Sequence, residues 1–219
     1  NARKSYGYYR IEILAALLNG AVLLAVGGYI LYEAWGRFRD PPEISSGPMM
    51  AIAAAGLAVN LVGIAILREG SGESLNVQGA FLEVVADMLG SLGVLIAGAI
   101  IWTTGWGYAD PLFSVGIGLF VIPRTLRLMA KSVDILLEGT PEGLDVVAVE
   151  AEMRAAPEVL GIHDLHVWSI TSGIPALSAH VRIAPGADGD VVLDRLVERL
   201  AERFDIHHAT LQIERGDRT

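Results

Sequence analysis

The chain has 219 residues, no cysteine and a formal net charge of −9 at neutral pH, and 53% of its residues are hydrophobic. The acidic balance argues against a nucleic-acid partner. Without cysteine this sequence has no disulfide framework and no thiolate metal site, so any bound metal must use histidine, carboxylate or backbone oxygen. The mean hydropathy is +0.48, and apolar runs fill residues 11–137, whereas residues 141–219 hold 14 acidic and 7 basic residues. We therefore predict a membrane domain over 1–138 and a soluble domain over 139–219.

Four apolar runs of membrane-spanning length follow one another in the first domain. They predict helices over about 11–35, 48–68, 76–103 and 110–137. Turn-forming residues separate the runs, at Asp40-Pro41-Pro42, at Gly70-Ser71-Gly72 and at Gly105-Trp106-Gly107. The chain is therefore expected to cross a lipid bilayer several times.

The basic residues that flank the four runs predict the orientation in the membrane. Only Arg37 and Arg39 fall on one side. The others fall on the opposite side: Arg3, Lys4, Arg10, Arg68, Arg124, Arg127 and Lys131. Because cytoplasmic loops carry an excess of Lys and Arg, we predict that the N-terminal end, the 68–76 loop and the C-terminal domain are cytoplasmic.

The third run contains two carboxylates, Glu83 and Asp87. Residues four apart lie on one face of a helix, and two adjacent anions at low dielectric do not both stay ionised unless a cation lies between them. The alternative is that they are protonated, or paired with a basic residue on a neighbouring helix. No Lys or Arg is expected at comparable depth, which favours an ion site. Asn19 and Asn60 are candidates for a minor role there, but hydrogen bonds between helices are the favoured interpretation of both residues.

The soluble domain predicts an α-β-β-α-β order of elements. Helices are expected at about 143–156 and 189–204, and strands at 162–170, 176–183 and 209–214. This order is typical of a small α+β ferredoxin-like sandwich with both helices on one face of the sheet. A domain of this size is near the minimum for a stable core, so pairing with another subunit is plausible.

Histidines form a second candidate site in this domain. His163 and His180 lie on the first two predicted strands and Glu214 lies on the third. Their convergence indicates a metal site, the alternative being histidines that are satisfied by ordinary hydrogen bonds. His166 is three residues from His163, so strand alternation predicts that it points to the opposite face.

Several longer motifs resemble the cation diffusion facilitator family, and its CzcD-type members in particular. They are YGYYRIEILAALLNG, SLNVQGAFLEVVADMLGS, YADP, VDILLEGTPE, HDLHVWSITSG and LSAHV. The resemblance covers nearly the whole chain. It implies a homodimer with six membrane helices per subunit and a cytoplasmic α/β tail, exchanging a divalent metal, most often Zn²⁺, for H⁺ by alternating access.

The resemblance also implies roles for particular residues. Residues 13–32 match the family's third helix, so its first two helices are absent. The chain starts at Asn1 rather than Met, so we expect either a fragment or a chain whose first residues are not included. Glu83 and Asp87 match the fifth-helix half of the transport site, with glutamate in place of histidine, which favours a broader Zn/Cd/Co range. The tail ligands implied are His163, His180 and Glu214, with the roles of Gln212 and His166 left open. Arg10 and Glu138 match a charge pair that ties the dimer together at the membrane surface.

The expected function is therefore a metal/proton antiporter of the bacterial inner membrane that exports zinc, and also cadmium or cobalt, from the cytoplasm. Its expected partners are a second copy of the chain, the lipid bilayer, divalent metal ions and protons, with no nucleic acid and no organic cofactor. The alternative is a membrane-anchored metal-sensing or interaction protein that does not transport. No nucleophile–base pair or phosphate-binding loop stands out, so we do not expect an enzyme.

Overall fold

The computed structural model describes residues 6–40, 46–68 and 74–215. Arg3 and Lys4 lie outside the described residues, as do Pro41, Pro42 and the Gly70-Ser71-Gly72 turn. The chain divides into two compact units, one comprising Ile11–Val133 and the other joining Asn1–Arg10 to Asp134–Thr219. We call them the membrane unit and the tail unit. The division of the chain into domains at residues 138 and 139 stays a prediction.

The membrane unit consists of helices α1 (Tyr9–Arg39), α2 (Ser46–Leu67), α3 (Leu75–Thr104) and α4 (Ala109–Leu136). All four are long and apolar enough to cross a membrane, which confirms the predicted helical membrane domain. α1 continues beyond the predicted end at residue 35 because its last turn is held by ion pairs. Arg37 lies 2.6 Å from Glu33, one turn earlier, and 2.6 Å from Asp110 of α4.

Both ends of α3 carry capping signals that the sequence contains. The Ser74 side chain accepts a hydrogen bond from the backbone N–H of Val77, which satisfies a donor that the first helical turn leaves without a partner. At the other end Gly105 adopts φ +70° and donates its N–H to the carbonyl of Ile101, a left-handed conformation that glycine takes without steric cost. These caps fix a helix of 30 residues around Glu83 and Asp87.

Small residues let the helices of the membrane unit approach closely. Gly56 of α2 faces Ser91 of α3, and Gly63 faces Val84, so the two helices run antiparallel. Residues of α2 and α3 lie at the same level when their numbers add up to 147, as they do at both contacts. α1 and α4 also meet at glycines, with Gly27 against Ile122. Close contact through small residues is a common basis of helix association in membranes.

The tail unit has the predicted α-β-β-α-β order. Its elements are α5 (Val146–Arg154), β1 (Val159–Thr171), β2 (Ile174–Ile183), α6 (Gly189–Phe204) and β3 (His208–Arg215). β2 is the central strand, antiparallel to β1 and parallel to β3. The α+β fold class predicted from the sequence is therefore confirmed.

The hydrophobic core of the tail unit lies between the sheet and its two helices. Val149 and Met153 of α5, together with Leu196 and Leu200 of α6, pack against alternate residues of the strands. Since successive strand residues point to opposite faces, the remaining positions form a second face that neither α5 nor α6 covers. His163, His180 and Glu214 lie on that open face.

A bulge in β1 changes which residues share that face. His163 is opposite His180, whereas His166 is opposite Ser178, so three steps on β1 match two on β2. Asp164, inside the bulge, has φ +54°. One extra residue reverses the alternation, and His166 therefore lies on the same face as His163. The prediction that they point to opposite faces is wrong, because strict alternation assumes an unbroken strand.

Candidate metal sites

Three side chains from three strands meet on the open face of the tail unit. His163 Nε2 lies 2.9 Å from Glu214 Oε2, and His180 Nδ1 lies 2.9 Å from Glu214 Oε1. One potential ligand atom from each residue lies within 4.8 Å of the other two. Within the described ranges of the chain, this is the group of three or more His, Asp or Glu residues that is close enough to hold one metal ion.

The strand register brings these residues together. His163 of β1 and His180 of β2 are direct cross-strand partners, and their rings lie 5.0 Å apart at an interplanar angle of 56°. Glu214 of β3 is opposite Arg182, two residues beyond His180 on the central strand. The carboxylate reaches both imidazoles from this diagonal position, so the geometry depends on the central place of β2.

The surroundings of Glu214 keep its carboxylate ionised and therefore able to bind a cation. The Glu214 side chain is only 7% exposed, whereas that of His163 is 52% exposed, so the group is open to solvent on one side. Hydrogen bonds from His163 first, and then from His180, lower the pKa of Glu214 from 4.5 to about 2. The carboxylate is therefore ionised throughout the physiological range.

Two further side chains support the group from outside. Gln212 Nε2 donates to Glu214 Oε1 over 3.2 Å. Asp164 Oδ1 lies 3.1 Å from His166 Nε2, and its other oxygen lies 3.8 Å from His180 Nε2. His180 thus lies between two carboxylates, an arrangement that orients histidine ligands in metal sites. Strand alternation predicts no role for Asp164, although aspartate tolerates the left-handed backbone that such a bulge requires.

The donor set fits a divalent transition metal. Two imidazole nitrogens and one carboxylate oxygen are typical ligands of Zn²⁺, which takes a fourth ligand in tetrahedral sites. The hydrogen bonds to Glu214 need protons on the facing ring nitrogens of His163 and His180. A ring nitrogen that binds a metal ion cannot carry a proton, so a bound ion would replace these two hydrogen bonds to Glu214.

The membrane unit presents the second pair, Glu83 and Asp87 of α3. Both are exposed and lie one turn apart on the same face of the helix. Within residues 6–40, 46–68 and 74–215 neither carboxylate has a hydrogen-bond or ion-pair partner. Two membrane-embedded acids without an ion-pair partner among the described residues are unusual, because such groups normally pair.

The register of the helices shows what lies at the level of this pair. The contacts of Gly56 and Gly63 with α3 place Asn60 at the level of Asp87, on the face of α2 that packs against α3. The sequence alone favours a structural role for Asn60, because it carries no signal for the register of α2 against α3. Asn19 approaches Gly79, one turn before Glu83.

One expectation about depth is wrong. Gly79 of α3 faces Leu128 of α4, and Gly93 faces Ile117, so the antiparallel register places Arg124 at about the level of Glu83. Position within the last span alone predicts no basic residue at that depth, because it does not include the register of α4 against α3. Arg124 lies 3.5 Å over the ring of Phe120, and no ion pair joins it to Glu83 among the described residues.

Arg10 and Glu138 form an ion pair of 2.9 Å between Arg10 Nη2 and Glu138 Oε1. Both residues belong to the tail unit, and both side chains are substantially exposed. The pair is made within one chain. Its predicted role in tying two subunits together stays a prediction.

The chain matches known families and proteins along most of its length. A family model for the "Cation efflux transmembrane domain" matches residues 1–137, and one for the "Cation efflux protein, cytoplasmic domain" matches residues 141–216. The metal cation efflux system protein CzcD of Cupriavidus metallidurans is 45% identical over 97% of this chain and 67% of its own length. The zinc transporter ZitB of Escherichia coli is 41% identical over 97% of this chain and 68% of its own length.

Two further comparisons add detail. The cadmium, cobalt and zinc/H⁺-K⁺ antiporter of Bacillus subtilis is 41% identical over 98% of this chain and 70% of its own length. The solved metal-bound C-terminal domain of the CzcD transporter from Cupriavidus metallidurans is 40% identical, covering 32% of this chain and 99% of that domain, with a TM-score of 0.32.

Proposed function

The chain belongs to the cation efflux family, the cation diffusion facilitators that its motifs resemble, and on that premise we propose that it is a divalent metal cation/proton antiporter. In this proposal it exports zinc, and also cadmium or cobalt, from the bacterial cytoplasm by alternating access. It acts as a transporter rather than as an enzyme. The relatives named above as zinc, cadmium and cobalt transporters support this choice of cargo.

The observation that carries the proposal is the pair Glu83 and Asp87. Two exposed carboxylates on one face of an apolar membrane helix attract a divalent cation, because the ion removes their mutual repulsion and their desolvation cost. They supply only part of a coordination shell, since a transition metal ion takes about four ligands. Asn60, at the level of Asp87, is a candidate for a further ligand.

Proton exchange follows from the same two groups. A protonated carboxylate has lost the charge that holds the metal, so proton binding on the outer side releases the ion and proton loss on the inner side restores the site. Glutamate at position 83 is a harder ligand than histidine. This supports a range that extends beyond zinc to cadmium and cobalt.

We assign the tail site a regulatory role in a homodimer. His163, His180 and Glu214 offer an incomplete shell, which water or a group from the second subunit would complete. Metal at this site neutralises clustered negative charge and favours the state of the dimer that binds it best. The family match to a cytoplasmic domain and the distribution of Lys and Arg support a tail on the cytoplasmic side of the inner membrane.

A flux assay on the full-length protein in sealed vesicles with an imposed pH gradient tests this function. Asp87→Ala is expected to abolish zinc movement driven by the gradient. Ser91→Ala, one turn further along the same helix, is the matched control and should transport at the parent rate. Metal-dependent changes in the tail without any flux in the parent protein would instead support the alternative of a membrane-anchored metal-sensing protein that does not transport.

A further inference from the structure

The face of α3 that carries Glu83 and Asp87 also carries Asn76. Among residues 75–91 these are the three whose side chains are exposed, and the others are buried or half-buried. They are spaced seven and four residues apart, so they lie on one face of the helix. The helical rise places Asn76 about 10 Å from Glu83, and Glu83 about 6 Å from Asp87. We call this row the polar stripe, and it runs from the first turn of α3 to the two carboxylates.

The polar stripe leads toward the N-terminal end of α3. Beyond the two carboxylates α2 covers this side of α3, since Ser91 faces Gly56 and Gly98 faces Met50. The next position of the stripe itself, Val94, is apolar. The N-terminal end of α3 is the cytoplasmic end in the proposed orientation. In this structure the polar route to the carboxylates therefore starts on the side from which the metal ion is proposed to arrive.

Asn76 has an amide group that is available to an ion. Its side chain makes no hydrogen bond or ion pair with the residues that the structure describes. An amide oxygen is a neutral acceptor, of the kind that binds divalent cations which keep part of their water shell. Such binding is weak, and an ion that moves through several sites needs weak ones in order to pass from one to the next. The two carboxylates bind a cation more strongly because they are charged.

The charge around the first turn of α3 also permits a cation. The N-terminus of a helix carries a partial positive charge, which opposes a bound cation. Glu12 of α1 lies at this point, and its carboxylate accepts a hydrogen bond from the hydroxyl of Ser74, the N-cap residue of α3. A carboxylate at a helix N-terminus offsets the partial charge. The opposition to a cation at Asn76, two residues after Ser74, is therefore reduced.

We propose that Asn76 is the first binding position for a hydrated divalent cation that travels from the cytoplasm to Glu83 and Asp87. The amide oxygen binds the ion or one of its water molecules. The ion then moves about 10 Å along the polar stripe and exchanges water for the carboxylates. This proposal rests on the proposed transport function. It adds a binding position to the path of the ion and no ligand to the final site, so it predicts a change in rates and not in affinity.

The rates of zinc binding by the full-length protein in detergent test this role. Stopped-flow mixing with a fluorescent zinc indicator gives the association and dissociation rates, and Glu214→Gln in every variant disables the tail site. We expect Asn76→Ala to slow both rates about fivefold, the factor for one hydrogen bond, with the equilibrium affinity unchanged. Asn76→Asp adds a negative charge and should speed association, more at low salt than at high salt.

Gln78→Ala is the matched control. It removes an amide from the same turn of α3, but Gln78 lies on another side of the helix, where it lines a cavity together with Arg124 of α4. Gln78→Ala should keep the parent rates. Asn76→Asp guards against a variant that simply fails to fold, because a protein that binds zinc faster than the parent has kept its structure.

Three results would overturn the proposal. The first is parent rates in Asn76→Ala, and the second is equal slowing in Gln78→Ala. The third is a weaker equilibrium affinity in Asn76→Ala with an unchanged association rate, which would make Asn76 a ligand of the final site. Zinc flux in vesicles separates this proposal from the proposed function. Absence of flux in a parent protein with these binding rates would contradict antiport and leave the role of Asn76 standing, whereas parent zinc binding that does not require Asp87 would contradict both.

Discussion

Carboxylates are central to both candidate metal sites, Glu214 in the tail unit and Glu83 with Asp87 on α3, but their surroundings differ. Glu214 is almost buried and accepts hydrogen bonds from two histidines and a glutamine. Glu83 and Asp87 are exposed and lack such partners among the described residues. A carboxylate with hydrogen-bond donors is held in one place and kept ionised, whereas one without them is free to exchange a proton for a metal. The first environment suits a stable site and the second suits a transport site.

Asp87 is expected to matter more than Glu83 for transport. Asp87→Asn keeps the shape of the side chain and removes its charge, so flux of every metal should be lost. Glu83→His should keep transport and shift the preference toward Zn²⁺, because imidazole is a softer ligand than carboxylate. It should also change the pH dependence, since unperturbed imidazole titrates near pH 6.5. Metal competition in vesicles between about pH 6 and 8 measures both effects. Flux in Asp87→Asn would show that the ion path lies elsewhere.

The pKa of Glu214 predicts how the stability of the tail unit depends on pH. Its pKa is lowered from 4.5 to about 2 in the folded state, so the unfolded state binds more protons between these values. The stabilisation is complete above pH 4.5 and is lost as the pH falls toward 2. Glu214→Gln removes this stabilisation. The difference in unfolding free energy between parent and variant should therefore shrink as the pH falls from 4.5 toward 2. Chemical denaturation of metal-free protein followed by the Trp168 fluorescence measures it; a constant difference would contradict the assignment.

At the scale of elements, the bulge in β1 and the register of α2 against α3 place residues beside the two candidate sites. The β1 bulge brings Asp164 beside His180 and turns His166 onto the same face. The α2–α3 register brings Asn60 to the level of Asp87. Neither helix spacing nor strand alternation contains this information, because it depends on how one element lies against another. The placement of Asp164 beside His180, and of Asn60 at the level of Asp87, therefore comes only from the three-dimensional structure.

Asp164 is expected to support metal binding without being needed for the fold. Asp164→Gly relieves the cost of φ +54°, so the tail unit should be as stable as the parent or slightly more stable. The variant loses the carboxylate that faces His180 Nε2, and loss of such a partner lowers metal affinity about 10- to 100-fold. Calorimetry with Zn²⁺ in an Asp87→Asn background isolates the tail site. Parent affinity in Asp164→Gly would contradict the orienting role; Asp164→Asn, with a similar shape, should show an intermediate loss.

Asn60 is expected to affect transport more than Asn19. Asn60→Ala should lower the flux or raise the metal concentration needed for half-maximal flux, because a polar group at the level of Asp87 is removed. Asn19→Ala, a change of equal size on α1, should reduce transport less. Vesicle flux with zinc and with cadmium measures both variants, and thermal unfolding in detergent reports any loss of helix packing. If Asn60→Ala alters unfolding but leaves flux unchanged, its role is structural.

At the scale of the whole molecule, membrane helices, element order and the tail fold could all be predicted from hydrophobic runs and periodicity. The candidate site residues were chosen because metal chemistry restricts the choice to histidine and carboxylate in a chain without cysteine, and their role as ligands stays a prediction. The errors concerned geometry between elements. The depth of Arg124 depends on the α3–α4 register, and the face of His166 depends on a bulge of one residue. Sequence periodicity describes an isolated element and cannot supply either.

The pair of Arg10 and Glu138 tests the predicted dimer. An exposed pair is worth about 0–1 kcal/mol, so reversal of either charge should have little effect on the stability of one chain. If the pair ties two subunits together, Arg10→Glu or Glu138→Arg should each lower flux and dimer content, and the double reversal should restore both. Vesicle flux together with light scattering in detergent measures them. No recovery in the double variant would contradict the interlock.

The position of Glu83 and Asp87 along α3 has an electrical consequence. Asp87 is close to the middle of a helix of 30 residues, so an ion held there lies about halfway through the field across the membrane. In the proposed exchange, a divalent cation that arrives from the cytoplasm crosses about half of the membrane potential, which costs about 2.3 kcal/mol for every 100 mV, negative inside. Two protons that enter from outside gain the same amount. Voltage therefore acts on each half of the cycle even where the complete exchange carries no net charge.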